Sequence, residues 1–336
     1  MPVKTLLAVL FILSGLKLLA QDQHFSQFYN HPLHLSPALA GVFSGDQRFS
    51  GAWRSQWASV PVPYLTFSGA YDQKIPLPGL KNGCLAAGML FNYDRAGDAG
   101  LNWLQVGLNT AYTQRLAEAL FLTAGVEAAV GQRAFDPQQL YFDEQFNGDI
   151  FDPSLPTQET FLQTAAGYTD LSAGLNLLVQ APQQRSFALI GAAYRHLNRP
   201  TVRFYQQSAL SLRALTNIYL SGTVQTSEKI DATFALAARL QGPYREIVSG
   251  AGIRYYLKNN DLHSIAVGAG ASYRWGDALV SYVELWKDNW RLGISYDINT
   301  SPFRVATQRN GGPEVTLQYF IHKVKAPETF KICPIF

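Results

Sequence analysis

The chain has 336 residues, enough for two ordinary domains or one large barrel. A net charge of +3 with no basic run argues against nucleic acid as a partner. Aromatics are high at 13%, and Cys and Met are low at two each.

Residues 1–20 read as a signal peptide. Lys4 precedes the apolar run LLAVLFILSGLKLLA, which is too short and too N-terminal for a stable span. Cleavage after Ala20 would leave Gln21 first. Leu18, at the minus-three position, fits the small-residue rule poorly, so the site itself stays open. No Cys follows the leader, which argues against a lipid anchor. Export without a long apolar helix leaves two classes, a secreted β-protein or an outer-membrane barrel.

Residues 21–45 mix aromatics, His and Pro with no helical or strand period. Asn30, Pro32, Pro37 and Gly41 dictate a bent, extended path with no regular ladder. At membrane depth such backbone is tolerated only inside protein or water. The expectation is a separate piece in the lumen or at the periplasmic mouth of a barrel.

From residue 47 the chain alternates apolar with small or polar residues in segments separated by turn residues, the signature of transmembrane β-strands. In 47–57, Phe49, Gly51, Trp53 and Trp57 share one face, and Arg48, Ser50, Arg54 and Gln56 the other. The predicted strands are 47–58, 63–73, 83–94, 101–115, 119–133, 167–180, 185–197, 211–224, 229–241, 244–257, 262–274, 277–287, 289–299 and 313–323. These fourteen suit a closed, all-β, antiparallel up-and-down barrel spanning roughly 46–323. With a periplasmic N-terminus, the turns at 116–118, 181–184, 225–228, 258–261 and 288 fall inside and are short. The segment 74–82 is the exception. The long connections 134–166, 198–210 and 300–312 fall outside, the asymmetry expected of outer-membrane barrels.

Strand parity turns Arg54, Arg239, Arg254, Arg274 and Arg291 toward the lumen, with Glu127, Asp170, Asp231, Glu284 and Asp297. Arg facing lipid would cost about 2–4 kcal/mol at mid-bilayer, and a wet or plugged lumen removes that cost. These charges either brace the wall or grip a segment inside it.

No catalytic constellation is present. Gly250-Ala251-Gly252 and Gly268-Ala269-Gly270 lack a third glycine and open no helix. The acidic loop 143–149 lacks the bidentate Glu of a calcium loop, with Ser154 at the twelfth position. His24, His31 and His34 cluster without metal-ligand spacing, and no Ser lies in a GxSxG elbow. The expectation is no enzyme, no cofactor and no metal. Cys84 opens the third strand, and Cys333 lies in the tail 324–336, both periplasmic in this topology. In an oxidising compartment they either pair or stay separate thiols.

QDQHFSQFYNHPLHLSPALAG (21–41) resembles the opening "QDPxFSQ…NPL…NPAxAG" of the PorP/SprF family of the type IX secretion and gliding apparatus. Trp53-Arg54-Ser55-Gln56-Trp57 resembles its "YRNQW". His196-Leu197-Asn198-Arg199-Pro200 resembles "H(L/F)N-P", and Gly293-Ile294-Ser295-Tyr296-Asp297 resembles "GYSYD". Glu314-Val315-Thr316-Leu317-Gln318-Tyr319 resembles "HEISLSY", and Cys333-Pro334 a "CP(R)F" tail. Six matches in the correct order cover nearly the whole mature chain. Ser36 departs from the second Asn of the opening, and Pro313 from the residue before the closing strand.

The resemblance implies an outer-membrane barrel that assists secretion or surface anchoring of cargo such as adhesins and hydrolases. Its expected partners are membrane lipid, a cargo terminal domain held by the external loops, led by 134–166, and periplasmic components of the machine. The residues singled out are Asn30, Pro32, Pro37, Gly41, Arg54, Gln56 and Trp57. The competing reading is a general porin or small-solute channel.

Overall fold

Alternation every second residue gives each strand one apolar and one polar face. In the computed structural model, residues 22–57, 64–76, 82–97, 100–152, 154–156, 163–182, 184–204, 210–260 and 263–322 are described. The leader and the tail with Cys333 lie outside the described residues.

The strands are β1 (Gln47–Gln56), β2 (Tyr64–Ile75), β3 (Gly83–Ala96), β4 (Leu101–Ala117), β5 (Leu120–Ala134), β6 (Ala165–Gln180) and β7 (Phe187–Arg195). After the short β8 (Thr201–Val202) and β9 (Leu210–Ser211) come β10 (Leu215–Gln225), β11 (Ile230–Gln241), β12 (Tyr244–Asn259) and β13 (Ser264–Arg274). β14 (Ala278–Lys287), β15 (Trp290–Asn299) and β16 (Asn310–Ile321) complete the set. Fourteen of them form a closed antiparallel barrel in chain order, β16 pairing back onto β1, while β8 and β9 pair only with each other.

Each predicted strand is present, with ends displaced by a few residues. The largest displacements flank β8 and β9. His196 adopts φ +57° and Arg199 φ +43°, left-handed values that take the chain out of the ladder. The following residues pair with each other, and β10 begins only at Leu215.

The faces are inverted relative to a soluble protein. Val126 is 56% and Ile253 61% exposed, and they stand among many outward Leu, Ile and Val. Inside, Arg54, Gln105, Glu127, Asp231, Asp297 and Glu314 are buried. An apolar exterior around a closed ladder, which leaves no unpaired strand edge, needs lipid as its solvent. Trp275 and Trp290 lie at opposite rims, where aromatic girdles meet the interface. Among the described residues no helix is long and apolar enough to cross a membrane.

The longest connections, 135–164 between β5 and β6 and 196–214 between β7 and β10, share one rim, the long-loop rim, with the two-residue turn 242–243; the two-residue turns between β4 and β5 and between β14 and β15 lie at the opposite, short-turn rim. At that long-loop rim Trp103, Tyr168, Val202 and Leu212 form a buried apolar cap.

Candidate functional site

Residues 22–40 fill the half of the lumen toward the long-loop rim, and 41–45 run on toward the short-turn rim. Asp22 lies at that rim, its N–H donating to Gln241 Oε1 at the end of β11 (3.1 Å). The chain then descends, and Gly45 passes close to His322 beyond the end of β16 at the short-turn rim. Three single turns bend it: Phe28–Asn30, Pro32–Leu35 and Pro37–Leu39. Pro32 and Pro37 begin the second and third, where a missing N–H is harmless. Ser36, the departure from the family opening, caps the third turn by accepting from Ala38 N–H (3.2 Å).

A backbone with no ladder must find its acceptors' partners elsewhere. The barrel wall supplies them. Arg239 donates to Gln23 O (2.9 Å), Arg54 to His24 O (2.6 Å) and Gln318 to Asn30 O (2.8 Å). Arg195 donates to His34 O (3.0 Å), Asn217 to Leu35 O (3.0 Å) and Arg48 to Leu39 O (3.0 Å). The donors come from β1, β7, β10, β11 and β16, so the segment is held from all around the ring. Apolar contact adds to this. Leu33 and Ala40 pack on Ala86, Leu90 and Ala111 of β3 and β4. Phe28, Leu35 and Leu39 pack across the lumen on Tyr219, Ala237 and Val248.

The densest part is an ion cluster. Glu314 is fully buried and spans two consecutive amides, accepting from Ser26 N–H (2.6 Å) and Gln27 N–H (2.7 Å). Asp297 accepts from Ser26 Oγ (2.8 Å), Arg54 (2.6 Å) and Arg274 (2.8 Å). Arg274 also donates to Ser26 Oγ (2.6 Å) and Asp277 (2.8 Å). Charge-assisted bonds of this kind are stronger than neutral ones, and losing one partner of a buried pair costs about 3–5 kcal/mol.

A second cluster lies at the rim. His196 Nε2 is 2.6 Å from Asp22 Oδ2, and its Nδ1 is 2.9 Å from Asp170 Oδ2. Burial alone would lower the His196 pKa, but Asp22 and Asp170 raise it to about 9. Asn198, from the same loop, donates to Thr169 O (2.7 Å) and accepts from Leu171 N–H (3.2 Å).

These two clusters form the lock, and five of the stretches that meet in it carry the motifs quoted above: Asp22, Ser26 and Gln27; Arg54; His196; Asp297; and Glu314. Of the residues singled out from sequence, Asn30 donates to Gln27 Oε1 (2.9 Å) and Glu284 Oε1 (3.1 Å) within it. Pro37 lies against Gly125 of β5, and Gly41, at φ +74°, donates to Asp72 Oδ2 (2.8 Å). Pro32 shapes the path.

Gln56 and Trp57 lie outside the lock. Gln56 ends β1 opposite Tyr64, and Trp57 stacks edge-on against Tyr64 (5.0 Å) as the strand stops. Cys84 lines the lumen and donates weakly to Leu85 O (3.3 Å). Its pairing with Cys333 falls outside the described residues. Asp22, Ser26, Gln27, His196 and Glu314 carry no signal in the sequence beyond their motif positions, except that strand parity turns Glu314 inward, opposite Arg54.

Between the bent segment and the short-turn rim is a cavity of about 760 Å³. Among the described residues no group of three His, Cys, Asp or Glu could hold a metal ion. The arrangement is one of holding, built from ion pairs and saturated carbonyls.

The family model described as "Type IX secretion system membrane protein PorP/SprF" matches residues 18–319. Among solved structures, the chain is similar to the CymD monoaromatic hydrocarbon channel, at 9% identity over 88% of this chain and 93% of that one (TM-score 0.47). The toluene transporter TodX of P. putida is 12% identical over 86% and 93% (TM-score 0.47). The translocator domain of the autotransporter NalP from Neisseria meningitidis is 11% identical over 87% and 94% (TM-score 0.40). No curated protein matches.

Proposed function

This chain belongs to the PorP/SprF family of type IX secretion membrane proteins, and from that membership we propose that it is a plugged platform assisting secretion or surface anchoring of specific cargo. It is a β-barrel of the outer membrane, of a family and fold belonging to secretion and transport rather than to enzymes. The short-turn rim is accordingly periplasmic and the long-loop rim external. The observation that carries the reading is the lock. A barrel that commits buried ion pairs from five stretches of sequence to holding its own N-terminal segment is built to present surfaces.

The external surface offered to cargo is the connection 135–164. It carries six Asp and Glu and no Lys or Arg. Tyr141 is 74%, Ile150 64% and Phe146 54% exposed on it. Apolar side chains rimmed by one sign of charge mark a docking surface, here for a cargo terminal domain with a basic rim. Periplasmic components of the machine would meet the opposite rim.

The test is co-purification of surface cargo with the tagged barrel, beside a variant carrying Asp143→Asn, Glu144→Gln, Asp149→Asn and Asp152→Asn. The expected result is cargo recovered with the parent protein, less at high salt, and several-fold less with the variant. Recovery of no type IX cargo or component would overturn the proposal.

A further inference from the structure

The cavity on the periplasmic side has an unusual wall. Its floor is the underside of the bent segment, Leu35 and Leu39, and Phe187, Leu189 and Phe234 continue the apolar surface. Its charged lining is one-sided: Arg48, Lys74, Arg185, Arg254 and Arg291 against the single carboxylate of Glu284.

Two of those cations are neutralised locally. Arg48 grips Asp72 (2.8 Å) and Arg185 grips Asp231 (2.9 Å). Arg254 reaches Asp231 only at 3.9 Å, and its Nε is buried without a hydrogen-bond partner. Beyond its place in the ladder between Trp286 and Gln318, Arg291 has no ion pair or side-chain hydrogen bond among the described residues. Glu284 is occupied by neutral donors, Asn30 (3.1 Å) and Trp286 Nε1 (3.3 Å).

What positions Arg254 and Arg291 is an aromatic ring. The Arg254 guanidinium lies 3.4 Å and that of Arg291 3.9 Å from the centroid of Trp286, and Arg291 also lies 4.3 Å from Phe320. Stacking on a ring holds a guanidinium without consuming its in-plane N–H donors. Those donors form the fork that takes a carboxylate or phosphate in bidentate fashion. A volume of about 760 Å³ lies in the range of small-molecule sites. The bent segment closes the inner end, so the pocket is blind and suits a small ligand rather than a threading chain.

We propose that this vestibule is a binding site for a small amphipathic oxyanion, its carboxylate or phosphate head on Arg254 and Arg291 and its apolar body against Leu35, Leu39 and Phe234. The site touches the lock only through Glu284, which accepts from Asn30; it is separate from the external loops, and its existence does not depend on cargo binding.

Trp286 supplies the readout, being the one Trp lining the cavity. Full-length protein in lipid nanodiscs is titrated with 4-(4-bromophenyl)butyrate and with 4-bromophenyl phosphate, whose heavy atom quenches indole fluorescence on contact. The neutral alcohol of the first probe is the comparison. At least one anion is expected to quench saturably, and the alcohol to bind at least tenfold more weakly. Arg291→Gln should weaken anion binding tenfold or more. Because Arg291 holds no carboxylate, this variant should keep its folded, heat-modifiable migration on gels. Trp286→Phe should abolish the saturable quenching. Equal binding of alcohol and anions by the unaltered protein would overturn the proposal whatever the variants do. So would a folded Arg291→Gln protein with unchanged affinity.

Discussion

His196 stands between two carboxylates, its Nε2 bonded to Asp22 and its Nδ1 2.9 Å from Asp170, so both favour the charged ring. Its folded pKa of about 9 exceeds the ordinary value of 6.5. The group therefore stabilises the folded state fully below about pH 6.5, and the contribution fades as pH rises through about 9. The shift corresponds to something on the order of 3 kcal/mol. The pin ties the rim to Asp22, which also faces Arg133 at 3.9 Å. Amide protection factors for residues 22–27, corrected for intrinsic exchange, should fall more than tenfold between pH 7 and pH 10. In His196→Gln they should be low at both ends, with no step. A parent protein whose protection is flat across that range would remove this role. The pair is also where sequence reading stopped. Parity could turn Asp170 inward, but nothing local joins Asp22 to a histidine 174 residues away. Only closure of the barrel brings them together.

At the scale of elements, the N-terminal segment was legible as irregular because proline and histidine interrupt any period. Its placement against β5 was not legible, since the determinant is an absent side chain. A Cβ on Gly125 would lie 2.5 Å from the carbonyl carbon of Pro37. Glycine inside a strand otherwise weakens it, so close approach of another backbone is its reason here. Gly125→Val should be tolerated by the ladder, because β-branched residues suit strands. It should push the 37–39 turn off the wall, at an overpacking cost of about 1–3 kcal/mol. Limited proteolysis of native protein should then cut within residues 22–45 several-fold faster than in the parent. Gly167→Val, at an exposed site whose nearest neighbouring atom is 3.8 Å away, should leave cleavage unchanged. Equal cleavage of the Gly125→Val variant and the parent would mean that Pro37 does not need that contact. The strands themselves read directly from sequence because lipid outside and polar filling inside force a strict alternation. The connection after β7 did not, because His196 leaves the ladder at a left-handed φ that its neighbours gave no reason to expect.

At the scale of the whole molecule, strand number sets the problem that the N-terminal segment solves. Eight strands enclose a lumen that side chains can fill, whereas sixteen to eighteen leave an aqueous channel. Fourteen fall between these, and here the external half is filled by residues 22–40 while the periplasmic half keeps its cavity. The intact protein should therefore conduct poorly in planar bilayers. Deleting residues 22–45 removes the segment carbonyls that Arg48, Arg54, Arg195 and Arg239 hold and replaces them with water, while their wall carboxylates remain. The ladder loses no strand, since pairing begins at Gln47. Stable open-channel steps should appear, with a lower temperature of heat-modifiable unfolding because Glu314 and Asp297 lose Ser26 and Gln27. A synthetic peptide spanning 21–46, added in trans, should close those steps in a concentration-dependent way, since each of its contacts with the wall is non-covalent. Intact protein that conducts as well as the deletion variant would replace the plugged platform with a solute channel. A deletion variant that folds but stays closed would mean that the wall side chains seal the lumen unaided.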